Sequence, residues 1–266
     1  MKILVALTFI VSSLVVKAED VFKNEFEQNI TIRVSQLEVV DPHFFTVVFG
    51  LFCGDITSEL NTQIQTSISS DGDSDTFLDS NFITQFSTDQ PAYITSRNLE
   101  AAFIDGNCPA PLHSAACEEI TTLSANIATS FDATESCMQA IPDTTSNYNP
   151  APNVSIAPCY STSAVTATMS IAGIDIQFQD YQQGARYFED LTLDNGLRRG
   201  FISEDDAETI IIPASVPVVG GQSLASLLPG GMGNCSNGDD RDLFTDGKTT
   251  GWWFYFNTTS ELIEMN

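Results

Sequence analysis

The sequence is poor in positive charge and nearly without histidine: 10 Lys and Arg stand against 35 Asp and Glu, with two His in 266 residues and a formal charge of −25. So few cations cannot neutralise a run of phosphates, which argues against nucleic acid as a partner, and an anionic membrane surface would repel the chain. A charge of this size is tolerable where bound cations or ambient salt screen it. With His scarce and no Cys-x-x-Cys, the ordinary parts of a zinc cage or a redox pair are missing. A P-loop and a dinucleotide fingerprint are absent as well, and neither His43 nor His113 lies beside a Gly-x-Ser-x-Gly nucleophile elbow. A glycosidase-like carboxylate pair stays open in a chain so rich in acids, since spatial pairing is invisible in sequence. On these absences a non-catalytic protein is the preferred reading.

Long apolar runs are also lacking. The one at residues 3–16 follows an early cation, Lys2, and ends in Val16-Lys17-Ala18. It is shorter than the roughly 18 to 20 residues a membrane helix needs, and no later stretch comes near that length. Residues 1–18 therefore read as a secretory signal peptide cut before Glu19, whose loss removes Lys2 and Lys17 and leaves the remainder more acidic. The expectation is a single secreted domain over 19–266, extracellular, or at a cell surface or in a periplasm if the source is bacterial. It is not expected to be an integral membrane protein.

What is present begins with six cysteines, Cys53, Cys108, Cys117, Cys137, Cys159 and Cys235. An even number in an exported chain reads as three disulfides, with all fifteen pairings open to sequence alone. The pairing taken as a working expectation joins Cys108 to Cys117, Cys137 to Cys159 and Cys53 to Cys235. Four Asn-x-Ser/Thr triplets, at Asn29, Asn153, Asn234 and Asn257, are glycosylation acceptors if the host is a eukaryote.

The most specific motif is Asp71-Gly72-Asp73-Ser74-Asp75-Thr76-Phe77-Leu78-Asp79. Carboxylates at relative positions 1, 3, 5 and 9, with an apolar residue at 8, form the ligand ladder of a calcium loop. Alternate acids on a tightly curved chain converge on one centre, so Asp71, Asp73 and Asp75 are expected to ligate directly, Phe77 through its carbonyl, and Asp79 directly or through water. Two positions depart from the pattern. Thr76 stands where the sharp turn wants Gly, and Phe82 occupies the place of the bidentate Glu. The bland alternative is a solvated acidic turn.

Hydropathy patterning gives a β-rich domain. Ile30, Ile32 and Val34 alternate, then slip phase to Leu37 and Val39, a strand with a bulge near Gln36. Residues 44–52 form a dense apolar run that fits one strand buried on both faces. Ile56, Leu60, Ile64 and Ile68 recur at helical spacing behind Asp55 as N-cap. A short strand is expected within 77–86. Ile120, Leu123 and Ile127 give a second helical candidate over 118–128, inside an irregular, Pro-rich, disulfide-held insertion at 89–158. A hairpin follows over 165–178 with Ala172-Gly173 at its turn, then a strand over 185–193 closed by Asp194-Asn195-Gly196. Ser203 and Ser223 are read as caps of short helices. The run Trp252-Trp253-Phe254-Tyr255-Phe256 is a strand, either buried on both faces or presenting Trp253 and Tyr255 as a sugar-stacking platform, with burial favoured. The fold class expected is mainly β, an antiparallel sandwich of two sheets with a few short helices.

Three stretches carry a resemblance: Leu197-Arg198-Arg199-Gly200-Phe201 running into Ser203-Glu204-Asp205-Asp206, Leu228-Pro229-Gly230-Gly231-Met232-Gly233-Asn234-Cys235, and Asp246-Gly247-Lys248-Thr249-Thr250-Gly251-Trp252-Trp253. They resemble blocks of an exported bacterial protein family of unknown function, over about 54–257 and including the acidic loop. The resemblance implies Gly where this chain has Thr76. It implies no reaction and no catalytic residues.

Three readings follow for function. The first is a secreted acidic protein, structural or adhesive, with a calcium-stabilised loop at Asp71, Asp73, Asp75, Phe77 and Asp79, reaching extracellular polysaccharide or matrix. The second is a carbohydrate-binding module or glycoside hydrolase using the C-terminal aromatic strand. The third, a lipid-binding or membrane-inserting protein, draws on the alternating Ser/Thr-rich segments.

Overall fold

The computed structural model describes residues 29–48, 50–87, 98–171, 173–187, 193–214, 216–233, 235 and 238–266. The signal peptide expected at 1–18 and the acceptor Asn234 lie outside the described residues. In chain order the elements are β1 (Ile30–Asp41), β2 (Phe45–Val48), β3 (Phe52–Asp55), α1 (Thr57–Ser69), β4 (Ile83–Phe86), β5 (Asn98–Asn107), β6 (Glu118–Asp132), β7 (Cys159–Thr162), β8 (Val165–Ile171), β9 (Ile174–Tyr187), β10 (Leu193–Ser203), α2 (Glu204–Thr209), a 3-10 turn (Ala225–Leu227), β11 (Asp242–Leu243) and β12 (Thr250–Leu262).

The main sheet runs β1-β4-β5-β6-β7-β9-β10-β12, and β12 pairs again with β1, so eight antiparallel strands close into a barrel. This corrects the expected sandwich. Closure removes the free edges that two stacked sheets would leave, and it depends on pairings such as Val39 with Phe256 that local patterning cannot reveal. β1 enters the barrel as expected: a register shift between Val34 and Gln36 swaps the phase, so that Ile30, Ile32 and Val34 and then Leu37 and Val39 all point inward.

Other expectations are corrected. Residues 118–128 are strand, paired to β5, and their helical spacing only leaves Ile120 and Leu123 exposed. The insertion at 89–158 thus contributes β5 and β6 to the barrel wall, and among its described residues the irregular parts are the disulfide-closed loop 108–117 and the stretch 133–158. Residues 44–52 form the β2–β3 hairpin of a separate small sheet, with Val47 and Phe52 exposed, not one buried strand. Asp194-Asn195-Gly196 lies within β10 as a bulge, not at a strand end: Asn195 has φ of 45°, and a Cβ at Gly196 would stand 2.2 Å from Thr258 Oγ1.

Ser203 caps α2 as expected, accepting from the Asp206 amide. The N-cap of α1 is Ile56, without a side-chain cap bond, instead of Asp55, which lies one residue earlier and accepts from the Thr57 amide at 2.9 Å. α1 sits where β1 runs past the end of β4. Its Asn61 side chain bonds both the amide and the carbonyl of Val39, and Gln65 bonds the Ser35 carbonyl. Side-chain amides thereby complete a stretch of strand edge, while Ile64 and Ile68 join the central core.

That core fills the barrel with Phe86, Phe131, Tyr160, Phe178, Trp252, Phe254 and Phe256. A smaller cluster lies outside β10 and β12, where Leu197, Phe201, Trp253 and Tyr255 are covered by Met138, Ala140 and Ile141. A third sits under the loop joining β5 to β6, around Leu78, Ile83 and Ile104. The disulfides are Cys53–Cys235, Cys108–Cys117 and Cys137–Cys159, the expected set. No helix among the described residues is long and apolar enough to cross a membrane.

Candidate functional site

The acidic loop leaves α1 and is anchored at both ends. The Asp79 amide donates to the Ser70 carbonyl and the Ser80 amide to the Ser67 carbonyl, while the Leu78 amide reaches the Cys108 carbonyl beside the small disulfide loop. Within the turn, the amides of Asp75 and Thr76 donate to the two Asp71 oxygens, and the Gly72 amide donates to Asp79 Oδ1 at 2.9 Å. A Cβ at Gly72 would stand 2.7 Å from Asp79 Oδ2, so a side chain there would push the Asp79 carboxylate aside. Ser74 and Thr76 have φ of 67° and 78°, so the chain does bend in the left-handed sense at the position where the calcium pattern carries Gly.

The structure brings together Asp71, Asp73 and Asp79, each placing one carboxylate oxygen within 4.8 Å of the others. Asp75 and Phe77 are not part of that group. The Asp75 carboxylate accepts from the Phe77 amide at 2.8 Å, and Phe77 itself bridges to Pro109. The donor set is three hard anionic oxygens with no nitrogen or sulfur, which fits calcium or magnesium better than zinc. Three carboxylates are fewer than the six to eight oxygens calcium takes.

A second constellation was not foreseen. Asp41, Asp240 and Asp242 gather at the far end of β1, next to His43. Burial pushes the Asp41 carboxyl up to about 7; the Ser146 amide opposes this, and the charges of Asp240 and Asp242 add to it. Burial likewise raises Asp240 and Asp242, each to about 6. Asp240 has a buried carboxylate oxygen with no amide or hydroxyl donor among the described residues. Asp41 and Asp240 are close enough to interact side chain to side chain, and burial favours a proton on Asp41. His43 stacks on Tyr148 with ring centroids 3.7 Å apart and holds Asp55 through Nδ1 at 2.6 Å. At Asp55 the upward push of burial is outweighed by the Thr57 amide, the Thr57 hydroxyl and His43, leaving the carboxyl below its ordinary value. Beside this cluster an open groove of about 940 Å³ runs between β1 and α1. The only local signal for the cluster is the run Asp239-Asp240-Arg241-Asp242, whose partner Asp41 lies about two hundred positions earlier in the chain.

The aromatic strand carries no exposed ring. Trp253 is 4% exposed and Tyr255 fully buried, and the Tyr255 hydroxyl accepts from the Ile141 amide at 3.1 Å. The sugar-stacking platform therefore has nothing to present, and the bland reading of this strand holds. Of the acceptor asparagines, Asn153 donates its side-chain nitrogen to the Gly196 carbonyl and Asn257 to the Ala151 carbonyl. Both amides work within the fold.

The class that fold and site define is a disulfide-stapled, closed antiparallel barrel bearing a convergent aspartate loop. No family model, curated protein or solved structure matches the chain.

Proposed function

We propose that this is an exported, non-catalytic protein of structural or adhesive role, whose acidic loop is organised by calcium. The observation that carries the reading is the convergence of Asp71, Asp73 and Asp79 within 4.8 Å in a loop whose backbone is already curved to receive an ion. The net charge of −25 favours cation uptake in general, and three disulfides fit an oxidising compartment. His43 and His113 each face a carboxylate, and among the described residues no hydroxyl or thiol hydrogen-bonds either ring. Oxygens that the three aspartates do not supply would come from water or from a partner such as an acidic extracellular polysaccharide, which gives the loop an adhesive role.

The test is a thermal melt in chelator against about 1 mM calcium, a concentration matched to weak extracellular sites. The expected result is a higher melting temperature in calcium for the natural chain and no such difference for Asp73→Ala plus Asp79→Ala. Equal melting of the natural chain in both conditions would reduce the loop to a solvated turn.

A further inference from the structure

The barrel lumen contains a guanidinium that no carboxylate pairs directly among the described residues. Arg198 points inward from β10 and is 6% exposed. Its Nη1 donates to the Tyr181 hydroxyl at 3.1 Å, and the guanidinium carbon lies 5.8 Å from the centre of the Phe82 ring. No other hydrogen bond and no carboxylate partner is found for it among the described residues. Arg33, Arg186 and Arg241, by contrast, each face a carboxylate. A guanidinium has five N–H donors, and a buried charge without a counter-charge is costly. Beside it, the cross-strand neighbour Gln183 donates to Thr84 Oγ1 at 2.8 Å across the lumen, yet its own Oε1 is buried without a donor. Gln183 thus carries unused hydrogen-bonding capacity where buried polar groups are ordinarily satisfied, and Arg198, whose nitrogens are not sealed from solvent, keeps spare donors on the cavity it lines.

Next to Arg198 and Tyr181 lies a cavity of about 200 Å³, lined on its apolar side by Phe82, Phe103, Leu123 and Met169. It is reached through the wall. β6 pairs with β7 only over 129–132, and β8 pairs with β9, so residues 118–128 of β6 and the strand β8 share no ladder. Leu123, 47% exposed, stands at that gap. Asp105 and Asp175 also line the cavity, and neither lies within ion-pair distance of Arg198. Their charge disfavours a ligand with a second anionic group.

We propose that the barrel binds a monocarboxylate with an apolar body, the carboxylate on Arg198 and the body in the cavity between β5 and β8. A carboxylate supplies the counter-charge and accepts the spare guanidinium donors, while the aromatic and aliphatic lining removes the tail from water. No bond is made or broken. The site is remote in kind from the aspartate loop, and calcium plays no part in it.

The experiment is calorimetric titration with octanoate, in chelator, so that the state of the acidic loop cannot influence the result. Octanol tests the charge with the tail kept, and octanedioate tests the rejection of a second carboxylate. Binding of octanoate is expected, with octanol and octanedioate each at least tenfold weaker. Arg198→Met should weaken octanoate at least tenfold while melting no lower than the natural chain, since it removes an uncompensated buried charge. As a measurement needing no variant, carboxyl-labelled octanoate observed by magnetic resonance should titrate at lower pH when bound than when free. Failure of octanoate to bind, equal binding of octanol, or an unshifted carboxyl titration would each overturn the proposal.

Discussion

The guanidinium of Arg33 donates through Nη2 to the carbonyl of Ile68, in the last turn of α1. The same nitrogen reaches the Ser80 carbonyl at 3.1 Å, and Nε reaches Asn81 at 2.6 Å. One side chain from the barrel wall therefore ties both ends of the acidic loop. Burial lowers the Arg33 pKa to about 10, with Glu261 opposing, so the group stays charged at neutral pH. Arg33→Ala would strand two buried carbonyls and is expected to cost about 3 kcal/mol. It should also weaken any calcium-dependent rise in melting temperature, because the loop ends lose their anchor. Denaturant unfolding with and without calcium checks both. A loss below about 0.5 kcal/mol, within the ordinary range for surface changes, would show that the contact is not structural.

Thr76 has φ of 78°, a conformation that a β-branched residue adopts only at a cost. Thr76→Gly should therefore stabilise the protein by about 1 kcal/mol, the scale of left-handed strain. Thr76→Ala keeps a Cβ and should bring no such gain. If both variants, or neither, are more stable than the natural chain, the strain is not where the backbone places it.

How much of this was legible follows from the range of each interaction. Ser203 as a cap, the bulge near Gln36 and the turn demand at Thr76 are decided within a few residues, and they were readable. The sense of Asn195-Gly196 was half readable: the left-handed residue was signalled, but whether it makes a turn or a bulge depends on β12 passing alongside at Thr258. Ile120, Leu123 and Ile127 show helical spacing for no helical reason, since β5 supplies the pairing that makes them strand. The barrel instead of a sandwich rests on β1 meeting β12, a contact between the two ends of the domain. In the site, Asp71, Asp73 and Asp79 were legible because one loop holds them. Asp41 with Asp240, and Arg198 with Gln183, were not, because their environments are assembled across the sheet.

Cys53 and Cys235 are separated by 182 residues, the longest loop any of the three disulfides closes. On the chain-entropy account such a crosslink removes roughly 5 kcal/mol of freedom from the unfolded state. Replacing both with Ala should lower stability by an amount of that order. The barrel ladders should survive, since neither cysteine lies in a barrel strand. Denaturant midpoint and far-ultraviolet circular dichroism separate the two effects, and a loss under about 1 kcal/mol would contradict the entropic account here.

The pH dependence of stability turns on Asp41. Its folded pKa of about 7 lies above the ordinary carboxylate value of 3.8, so the folded protein holds a proton that the unfolded chain releases. The contribution of this proton is fully present below about pH 4 and is lost progressively as pH rises through about 7. Asp240 and Asp242, each near 6, act in the same direction over a slightly lower window. Asp55 acts oppositely, since its lowered pKa removes stability only as pH falls below the ordinary carboxylate range. Asp41→Asn keeps an oxygen for the Ser146 amide and a donor for Asp240, and carries no charge at any pH. It should match the natural chain near pH 4 and exceed it at pH 8 by on the order of 2 kcal/mol, after discounting for relaxation around the cluster. Urea unfolding of both proteins at pH 4, 6 and 8 decides the matter. Curves that stay parallel across this range would mean that Asp41 is ionised in the folded state throughout.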